Sequence, residues 1–194
     1  MQRLPVHGFV LVGGQSSRMG TDKALLPFHG RPMVEIAVGK LKEVCEVVSV
    51  VGNRDDLAAF APVVHEARVG CGPVAGVEAG LAAAERAWTM FIPVDVPLVP
   101  ASVLHEWADA VLARDEVRVS HLFAEVNQPA FCMVQRSCEA AVHASVEAGE
   151  RRLLRLLSGL EGYWRYDLPS REVERWFANV NTPEELIAAE AASY

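Results

Sequence analysis

The chain has little cysteine, and its cysteines form no recognisable site pattern. The 194 residues include four cysteines, none in a Cys-x-x-Cys pair or at zinc-ligand spacing with nearby histidines. This spacing excludes a zinc finger or a disulfide scaffold as the organising feature. We expect reduced thiols, three packed in the interior and one in a loop: Cys45, Cys132, Cys138 and Cys71, in that order.

Long apolar runs and an excess of basic charge are also missing. No segment approaches the roughly 20 apolar residues that span a bilayer, and residues 1–7 lack the apolar core of a signal peptide. The net charge is −7, so the overall field repels nucleic acid and anionic membranes. We therefore expect a cytoplasmic protein that binds neither nucleic acid nor membrane.

The composition is otherwise ordinary for a folded enzyme-sized chain. Apolar residues make up 51% and charged residues 22%, which suffices to bury a core. No internal repeat, low-complexity tract or linker divides the sequence. The length and composition predict a single domain over residues 1–194.

Neither of the two best-known phosphate loops is present, although one stretch is rich in glycine. It follows an apolar run at residues 8–12 and reads Leu11-Val12-Gly13-Gly14-Gln15-Ser16-Ser17-Arg18-Met19-Gly20-Thr21-Asp22-Lys23. A P-loop is excluded because Lys23 stands three residues after Gly20 and precedes Ala24. The glycine spacing also fails to give the Gly-x-Gly-x-x-Gly of dinucleotide-binding proteins.

The chemistry of this stretch nevertheless favours a small anionic ligand. Gly13 and Gly14 permit close backbone approach, while Arg18 and Lys23 supply point charges for phosphate oxygens. Between residues 13 and 32 there are three basic side chains, Arg18, Lys23 and Arg31, and they face only Asp22. The alternative is an ordinary strand-to-helix turn with solvated charges.

Strands and helices are predicted to alternate through the first two thirds of the chain. The periodicity predicts strands at 8–12, 46–51, 63–65 and 88–94, and helices at 32–41, 55–60, 74–84 and 102–113. This pattern is typical of a parallel sheet with crossover helices. Further strands, candidates for antiparallel additions, are predicted at 117–123 and 129–134, with helices at 137–147 and 151–157.

The last helix has a clear start signal. Thr182 is placed as N-cap, Pro183 as the first helical residue, and Glu185 can complete a capping box.

One carboxylate stands out at the end of the fourth predicted strand. Asp95 follows the run Ile92-Pro93-Val94, and Pro97 stiffens the segment behind it. Open α/β sheets bind ligands at this edge, and Mg²⁺ beside a triphosphate needs few protein ligands. Asp95 is therefore a candidate for Mg²⁺ binding, unless it only caps the turn or the next helix.

Five motifs occur together in this chain: the opening stretch, Gly72-Pro73-Val74-Ala75-Gly76, Asp95-Val96-Pro97, Asn127-Gln128-Pro129-Ala130-Phe131 and Asn179-Val180-Asn181-Thr182-Pro183-Glu184-Glu185-Leu186. Their combination resembles the molybdenum cofactor guanylyltransferases, within the nucleotidyltransferases that load sugars and cofactors. The resemblance implies an α/β, Rossmann-like three-layer sandwich of the nucleotide-diphospho-sugar transferase type, with a mostly parallel sheet and helices on both faces. It implies GMP transfer from GTP to the phosphate of molybdenum-molybdopterin, which releases pyrophosphate.

The resemblance also implies roles for particular residues. Lys23 and Arg18 would neutralise phosphate charge, and Asp95 would bind Mg²⁺ and nucleotide. The nucleotide-binding set that it implies is Leu11, Val12, Gly13, Gly14, Lys23, Asn53, Glu66 and Asp95. Glu66 is the residue nearest the position, ahead of the Gly72-Pro73 loop, at which the family has an aspartate. Some members have an asparagine at the position of Val51, and Asn53 follows two residues later.

The acceptor side is less defined by sequence. Candidates for the pterin and its phosphate are Asn127, Gln128, Asn181 and the pair Arg151-Arg152. The arginine pair also fits a solvated helix start, and Asn179 and Asn181 could instead position the last helix. Transient contact with molybdopterin-delivering or molybdoenzyme-maturation proteins is expected. Two other functions stay open: a cytidylyltransferase acting on molybdopterin or a polyol phosphate, and a nucleotide-binding regulator without turnover.

Overall fold

β1 lies at the centre of the sheet in the computed structural model, which describes residues 2–12, 22–68, 70–168, 173–180 and 182–192. The strands are β1 (Leu4–Leu11), β2 (Pro27–Phe28), β3 (Arg31–Pro32), β4 (Cys45–Val51), β5 (Val63–Val64), β6 (Trp88–Pro93), β7 (Val119–Ala124), β8 (Val126–Gln135) and β9 (Tyr163–Asp167). The α-helices are α1 (Met33–Val44), α2 (Pro73–Ala82), α3 (Ala101–Leu112), α4 (Glu139–Glu147), α5 (Leu153–Ser158), α6 (Val173–Trp176) and α7 (Pro183–Ala192). Short 3₁₀ turns cover Lys23–Leu25, Asp55–Ala59 and Arg136–Cys138.

The main sheet has the strand order β5-β4-β1-β6-β8-β7-β9. β5, β4, β1 and β6 are parallel neighbours, β8 is antiparallel to both β6 and β7, and β9 runs parallel to β7. The chain builds the sheet from β1 towards β5 and then crosses back to β6 on the other side of β1. The order therefore reverses between β1 and β6, where open α/β sheets bind their ligands.

Helices cover both faces of the sheet. In β1, Val6 and Val10 pack in the core shared with α1 and α3, while Phe9 and Leu11 pack in the core shared with α2, α4 and α5. Both sets are buried, which explains why the strand is an unbroken apolar run instead of an alternating one. The predicted α/β sandwich with a mostly parallel sheet is confirmed.

The last helix begins as its sequence predicts. The Thr182 hydroxyl accepts the Glu185 backbone N–H at 3.1 Å, and the Glu185 carboxylate accepts the Thr182 N–H at 3.1 Å. This reciprocal pair is a capping box.

Three elements were absent from the sequence-based expectation. The β2–β3 hairpin, the edge strand β9 and the short α6 are each at most five residues long. Elements this short give too little periodicity to detect. The strand predicted at 129–134 is longer in the structure, since β8 begins at Val126.

The cysteine prediction is confirmed, since Cys45, Cys132 and Cys138 are buried, Cys71 is partly exposed, and none forms a disulfide. Burial raises the pKa of the Cys45 thiol to about 12. Among the described residues, no helix is long and apolar enough to cross a membrane.

Candidate active site

The carboxyl ends of three parallel strands stop level with one another. Leu11 pairs with Val51 of β4 on one side and with Pro93 of β6 on the other. The backbone continues the ladder for one more step, with Val12 N–H to Val51 O at 3.0 Å and Val94 N–H to Leu11 O at 3.2 Å. The segments that follow β1, β4 and β6 therefore begin at one edge of the sheet, at the point where the strand order reverses.

Lys23 and Asp95 meet at this edge. The Lys23 ammonium Nζ lies 3.4 Å from Asp95 Oδ2, although 72 residues separate them in sequence. About a quarter of each side chain is exposed, 27% for Lys23 and 25% for Asp95. A partly exposed ion pair contributes only about 0.2–1 kcal/mol. A ligand that offers phosphate to the ammonium and a cation to the carboxylate can therefore separate the pair at little cost.

The backbone of the Asp95 segment is tied to three other parts of the molecule. Val94 is bonded to β1 as described above, and the Asp95 carbonyl accepts the Val180 N–H at 2.9 Å. The Lys40 ammonium, reaching from α1, donates to the Pro97 carbonyl. Burial lowers the pKa of Lys40 to about 8, while Glu43 opposes that shift. These tethers hold the carboxylate in place before any ligand arrives, which is what charge stabilisation in a site requires.

Asp22 is neutralised by an arginine that the sequence analysis did not identify. Its Oδ1 accepts the Ala24 N–H at 3.0 Å and caps the 3₁₀ turn, and its Oδ2 accepts from the Arg54 guanidinium. Arg54 also pairs with Asp56 at 2.7 Å. The Arg54 hydrogen bond is the main cause that lowers the pKa of Asp22. Arg54 thus neutralises the charge of Asp22, the residue that precedes Lys23.

Arg31 was expected from the sequence to face Asp22, and this expectation is wrong because Arg31 pairs with another carboxylate. Arg31 lies in β3, where its guanidinium pairs with Glu35 at 3.0 Å and is 58% exposed. Arg54 stands in that place instead, brought from the turn after β4. The signal available for it was the Gly52-Asn53-Arg54 turn, which ends the second strand of the parallel unit.

Leu11 and Glu66 meet over the first turns of α2. A Cβ added at Gly76 would lie 2.7 Å from Leu11 Cδ2 and 3.2 Å from Glu66 Oε1, so the glycine allows both side chains to approach the helix. Burial raises the pKa of Glu66. The structure therefore brings Glu66 to the same sheet edge as Leu11.

Val12 and Asn53 flank the other side of this edge. The methyl Cγ2 of Val12 packs against Gly52, where a Cβ would stand only 2.5 Å away. Asn53, next along the turn, is exposed. Gly13, Gly14, Arg18 and Asn181, which the sequence analysis placed at the site, lie outside the described residues.

The acceptor-side candidates fall into two groups. Arg151 donates to the Val146 carbonyl at 3.0 Å and the Glu150 carbonyl at 2.9 Å, so it closes the end of α4, and the exposed Arg152 begins α5. Asn127 and Gln128 lie in β8, beyond the point where β6 ends. The exposed Asn179 precedes Val180, which is bonded to the Asp95 carbonyl.

The carboxylate set at this edge fits a magnesium ion carried by a nucleotide. Among the described residues there is no group of three or more His, Cys, Asp or Glu side chains able to enclose a metal. Mg²⁺ keeps several water molecules and is commonly bound by one or two carboxylates together with substrate phosphates. A single partly exposed Asp95 beside a lysine suits that arrangement.

Comparisons with solved structures identify the fold. The fold matches molybdopterin-guanine dinucleotide biosynthesis protein A from Archaeoglobus fulgidus with a TM-score of 0.75 at 23% identity, over 96% of this chain and 97% of that one. It also matches a nucleotidyl transferase from Methanothermobacter with a TM-score of 0.74 at 18% identity, over 97% of each chain. At these identities the likeness shows the fold, which is that of the nucleotidyltransferases.

Sequence comparisons identify the family. Residues 8–162 match the MobA-like NTP transferase domain. The chain is 33% identical to a molybdenum cofactor guanylyltransferase from Vibrio atlanticus, over 91% of each chain, and 32% identical to one from Polynucleobacter asymbioticus, over 96% of each. The chain belongs to the MobA-like NTP transferase family, which confirms the resemblance inferred from its motifs. Nucleotidyltransferases of this kind generally use a divalent metal ion.

Proposed function

We propose that this protein transfers GMP from GTP to the phosphate of molybdenum-molybdopterin, which gives molybdopterin guanine dinucleotide and pyrophosphate. The observation that carries the proposal is the Lys23–Asp95 pair, with 3.4 Å between Nζ and Oδ2, at the switch point of the sheet. This chain matches its relatives over most of their length. Those relatives are named molybdenum cofactor guanylyltransferases, and that name indicates the substrate pair.

The nucleotide binds across the ends of β1 and β4. Leu11, Val12 and Gly13 contact guanine and ribose through their backbone. Gly14 also belongs to the nucleotide-binding set, with Asn53 and Glu66 at the margins. The packing of Leu11 and Glu66 over Gly76, and of Val12 over Gly52, supports this placement. The phosphates extend from this half of the edge towards Lys23.

Asp95 holds the metal ion, which is Mg²⁺, and also contacts the nucleotide. When bound, Mg²⁺ supplies positive charge to the phosphate oxygens of the nucleotide. The tethers at Val94, Asp95 and Pro97 keep the carboxylate in position for that ion.

The reaction is an in-line displacement at the α-phosphorus of GTP. An oxygen of the acceptor phosphate forms the new bond to that phosphorus, and the bond to the β-phosphate oxygen breaks, so that pyrophosphate leaves. The attacking phosphate monoester is already ionised near neutral pH, so no strong general base is needed. Lys23 and Arg18 neutralise charge on the α-phosphate and on the departing pyrophosphate.

The chain acts as one nucleotidyltransferase domain, over residues 1–194, in the cytoplasm. It makes transient contact with molybdopterin-delivering or molybdoenzyme-maturation proteins, and it needs neither nucleic acid nor membrane.

The test is turnover with purified molybdenum-molybdopterin and a panel of nucleotides, with and without Mg²⁺. We expect Mg²⁺-dependent pyrophosphate release with GTP and a dinucleotide product of matching amount. A clear preference for CTP would instead show a cytidylyltransferase. GTP binding that ignores Mg²⁺ and yields no product would show a regulator without turnover.

A further inference from the structure

A fully buried histidine in β7 is hydrogen-bonded to side chains of both neighbouring strands, β8 and β9. These strands form the half of the sheet away from the nucleotide residues. His121 in β7 has no solvent exposure. Its Nε2 lies 2.9 Å from Asn127 Oδ1 in β8, and its Nδ1 lies 3.1 Å from the Tyr163 hydroxyl in β9. The rings of His121 and Tyr163 stack with centroids 5.5 Å apart. The three side chains form a chain of hydrogen bonds that ends at the surface, because Asn127 is exposed.

The partners fix which nitrogen of His121 carries the proton. Asn127 Oδ1 can only accept, so Nε2 must donate to it. Nδ1 then has a lone pair and accepts from the Tyr163 hydroxyl. Burial lowers the pKa of His121 and raises that of Tyr163, so both stay neutral under ordinary conditions. Because Oδ1 of the exposed Asn127 is turned towards His121, its NH₂ group is directed away from the ring.

A bulge in β8 separates Asn127 from the segment of β8 that pairs with β6. His121 pairs with Cys132, and the next residue of β7, Leu122, pairs with Gln128. Residues 129–131 are therefore extra on β8, which also explains how Pro129 is tolerated inside a strand. The His121–Asn127 hydrogen bond spans this bulge and fixes the residues that precede it.

The position of Asn127 relative to Asp95 follows from the strand register. β8 is antiparallel to β6, with Phe91 opposite Cys132. Residues of β8 that precede Cys132 therefore run towards the carboxyl end of β6, which Asp95 follows. The nucleotide candidates occupy the β1–β4 half of this edge, so the β8–β7–β9 half is left for the second substrate.

We propose that Asn127 binds an oxygen atom of the acceptor substrate through its outward N–H groups, and that His121 and Tyr163 are positioning residues that hold this amide in the donating orientation. The proposal rests on the proposed function, because the acceptor is the molybdopterin named there. Asn127 acts on acceptor binding and leaves GTP binding unchanged.

The first test measures binding of molybdopterin by calorimetry without nucleotide, in the wild type, Asn127→Ala and Asn127→Asp. Loss of one hydrogen bond to a ligand predicts about tenfold weaker binding for Asn127→Ala. Asn127→Asp replaces donors with a negative acceptor, so we expect weaker binding still. Equal affinity in all three proteins would overturn the proposal. This test needs no turnover, so it is separate from failure of the proposed function, which would show as absence of GMP transfer by the wild type.

The second test concerns the positioning residues. Tyr163→Phe removes the hydroxyl that donates to Nδ1 of His121 and so supports the Nε2–H tautomer. Tyr166→Phe is the matched control on the same strand, where Tyr166 packs against Trp164 in the opposite core. Nitrogen-15 NMR of the histidines should show His121 as the Nε2–H tautomer in the wild type and in Tyr166→Phe, and a mixture in Tyr163→Phe. We expect a severalfold higher KM for the acceptor, with an unchanged KM for GTP, only in Tyr163→Phe. An Nδ1–H tautomer in the wild type, or equal acceptor KM values in both variants, would contradict the positioning role.

Discussion

The backbone N–H of Val180 donates to the carbonyl oxygen of Asp95 across 2.9 Å. The C-terminal motif is thereby bonded to the residue that we assign to the metal ion. Val180 is fully buried, so this bond is shielded from water. The Asn179-Val180-Asn181 motif thus has a structural reason to occur with Asp95, in addition to any contact of its asparagines with substrate.

Replacing Val180 with proline removes the N–H that reaches Asp95. Since a net hydrogen bond contributes about 0.5–1.5 kcal/mol, we expect GMP transfer to slow by up to about tenfold and the Mg²⁺ requirement to rise. Val180→Ala keeps the N–H and loses only side-chain packing, so it is the matched control. Transfer kinetics at several Mg²⁺ concentrations, on variants checked for folding by circular dichroism, separate the two. Identical kinetics in both variants would show that the bond does not position Asp95.

Gly52 should tolerate no side chain. A Cβ there would lie 2.5 Å from Val12 Cγ2, and the backbone has a φ of +155°. We expect Gly52→Ala to lower the free energy of unfolding by about 1–3 kcal/mol. Gly39 in α1 is the control, since a Cβ there meets nothing within 4 Å, and Gly39→Ala should stabilise by about 0.5–1 kcal/mol. Urea denaturation measures both, and a Gly52→Ala variant as stable as the wild type would refute the close approach.

The free energy of unfolding should change with pH in the alkaline range because of Lys40. Its pKa is lowered to about 8 by burial, against an ordinary value of 10.5. Below pH 8 the lysine is charged in both states, and only the folded state bears the cost of burying that charge. Between pH 8 and 10.5 the folded state sheds its proton first, so this cost disappears as the pH rises.

The free energy of unfolding of the wild type should therefore rise relative to that of Lys40→Met between pH 7 and pH 10. The gain is on the order of 1–2 kcal/mol after allowance for partial exposure of the side chain. Urea titrations at both pH values measure it. Lys42→Met controls for removal of a lysine charge on the same helix, where Lys42 is exposed and bonds the Phe60 carbonyl at 3.3 Å. The same pH trend in both variants would show that Lys40 has no special environment.

Much of the fold could be predicted because its signals are local. The apolar runs of β1, β4 and β6 and the patterned helices between them give the parallel sheet, and chain direction then places Asp95 at the edge where ligands bind. The capping box at Thr182 is likewise contained in four residues. The parallel sheet also places the segments after β1 and β6, which lead to Lys23 and Asp95, at the same edge, so the meeting of these two side chains could be expected.

The rest depends on contacts between residues distant in sequence, which leave no local pattern. Arg54 reaches Asp22 over 32 positions, and Lys40 reaches Pro97 over 57. An arginine in a turn and a lysine on a helix are ordinary surface residues in a sequence, and only the packing of the chain shows their partners. The buried His121 is similar, because its tautomer is set by two side chains from neighbouring strands.

Lys23 is expected to act on the transition state more than on binding. For Lys23→Met we expect transfer to fall by about two to three decades, or about 3–4 kcal/mol, by analogy with loss of one preorganised donor. The decrease should appear mainly in kcat, because charge grows on the phosphates as pyrophosphate departs. Steady-state kinetics with GTP and molybdopterin measure it, with Lys42→Met as the control. Turnover near that of the wild type would remove Lys23 from the mechanism.

The central claim is that Asp95 and Lys23 hold a magnesium nucleotide between them at the β1–β6 edge. Its most direct test is a Mg²⁺ titration of GMP transfer in the wild type and in Asp95→Asn, with Asp109→Asn, an exposed position on α3, as the control. The account predicts that half-maximal transfer needs at least about tenfold more Mg²⁺ in Asp95→Asn and the same amount in Asp109→Asn. Superimposable titration curves for the wild type and Asp95→Asn would contradict it.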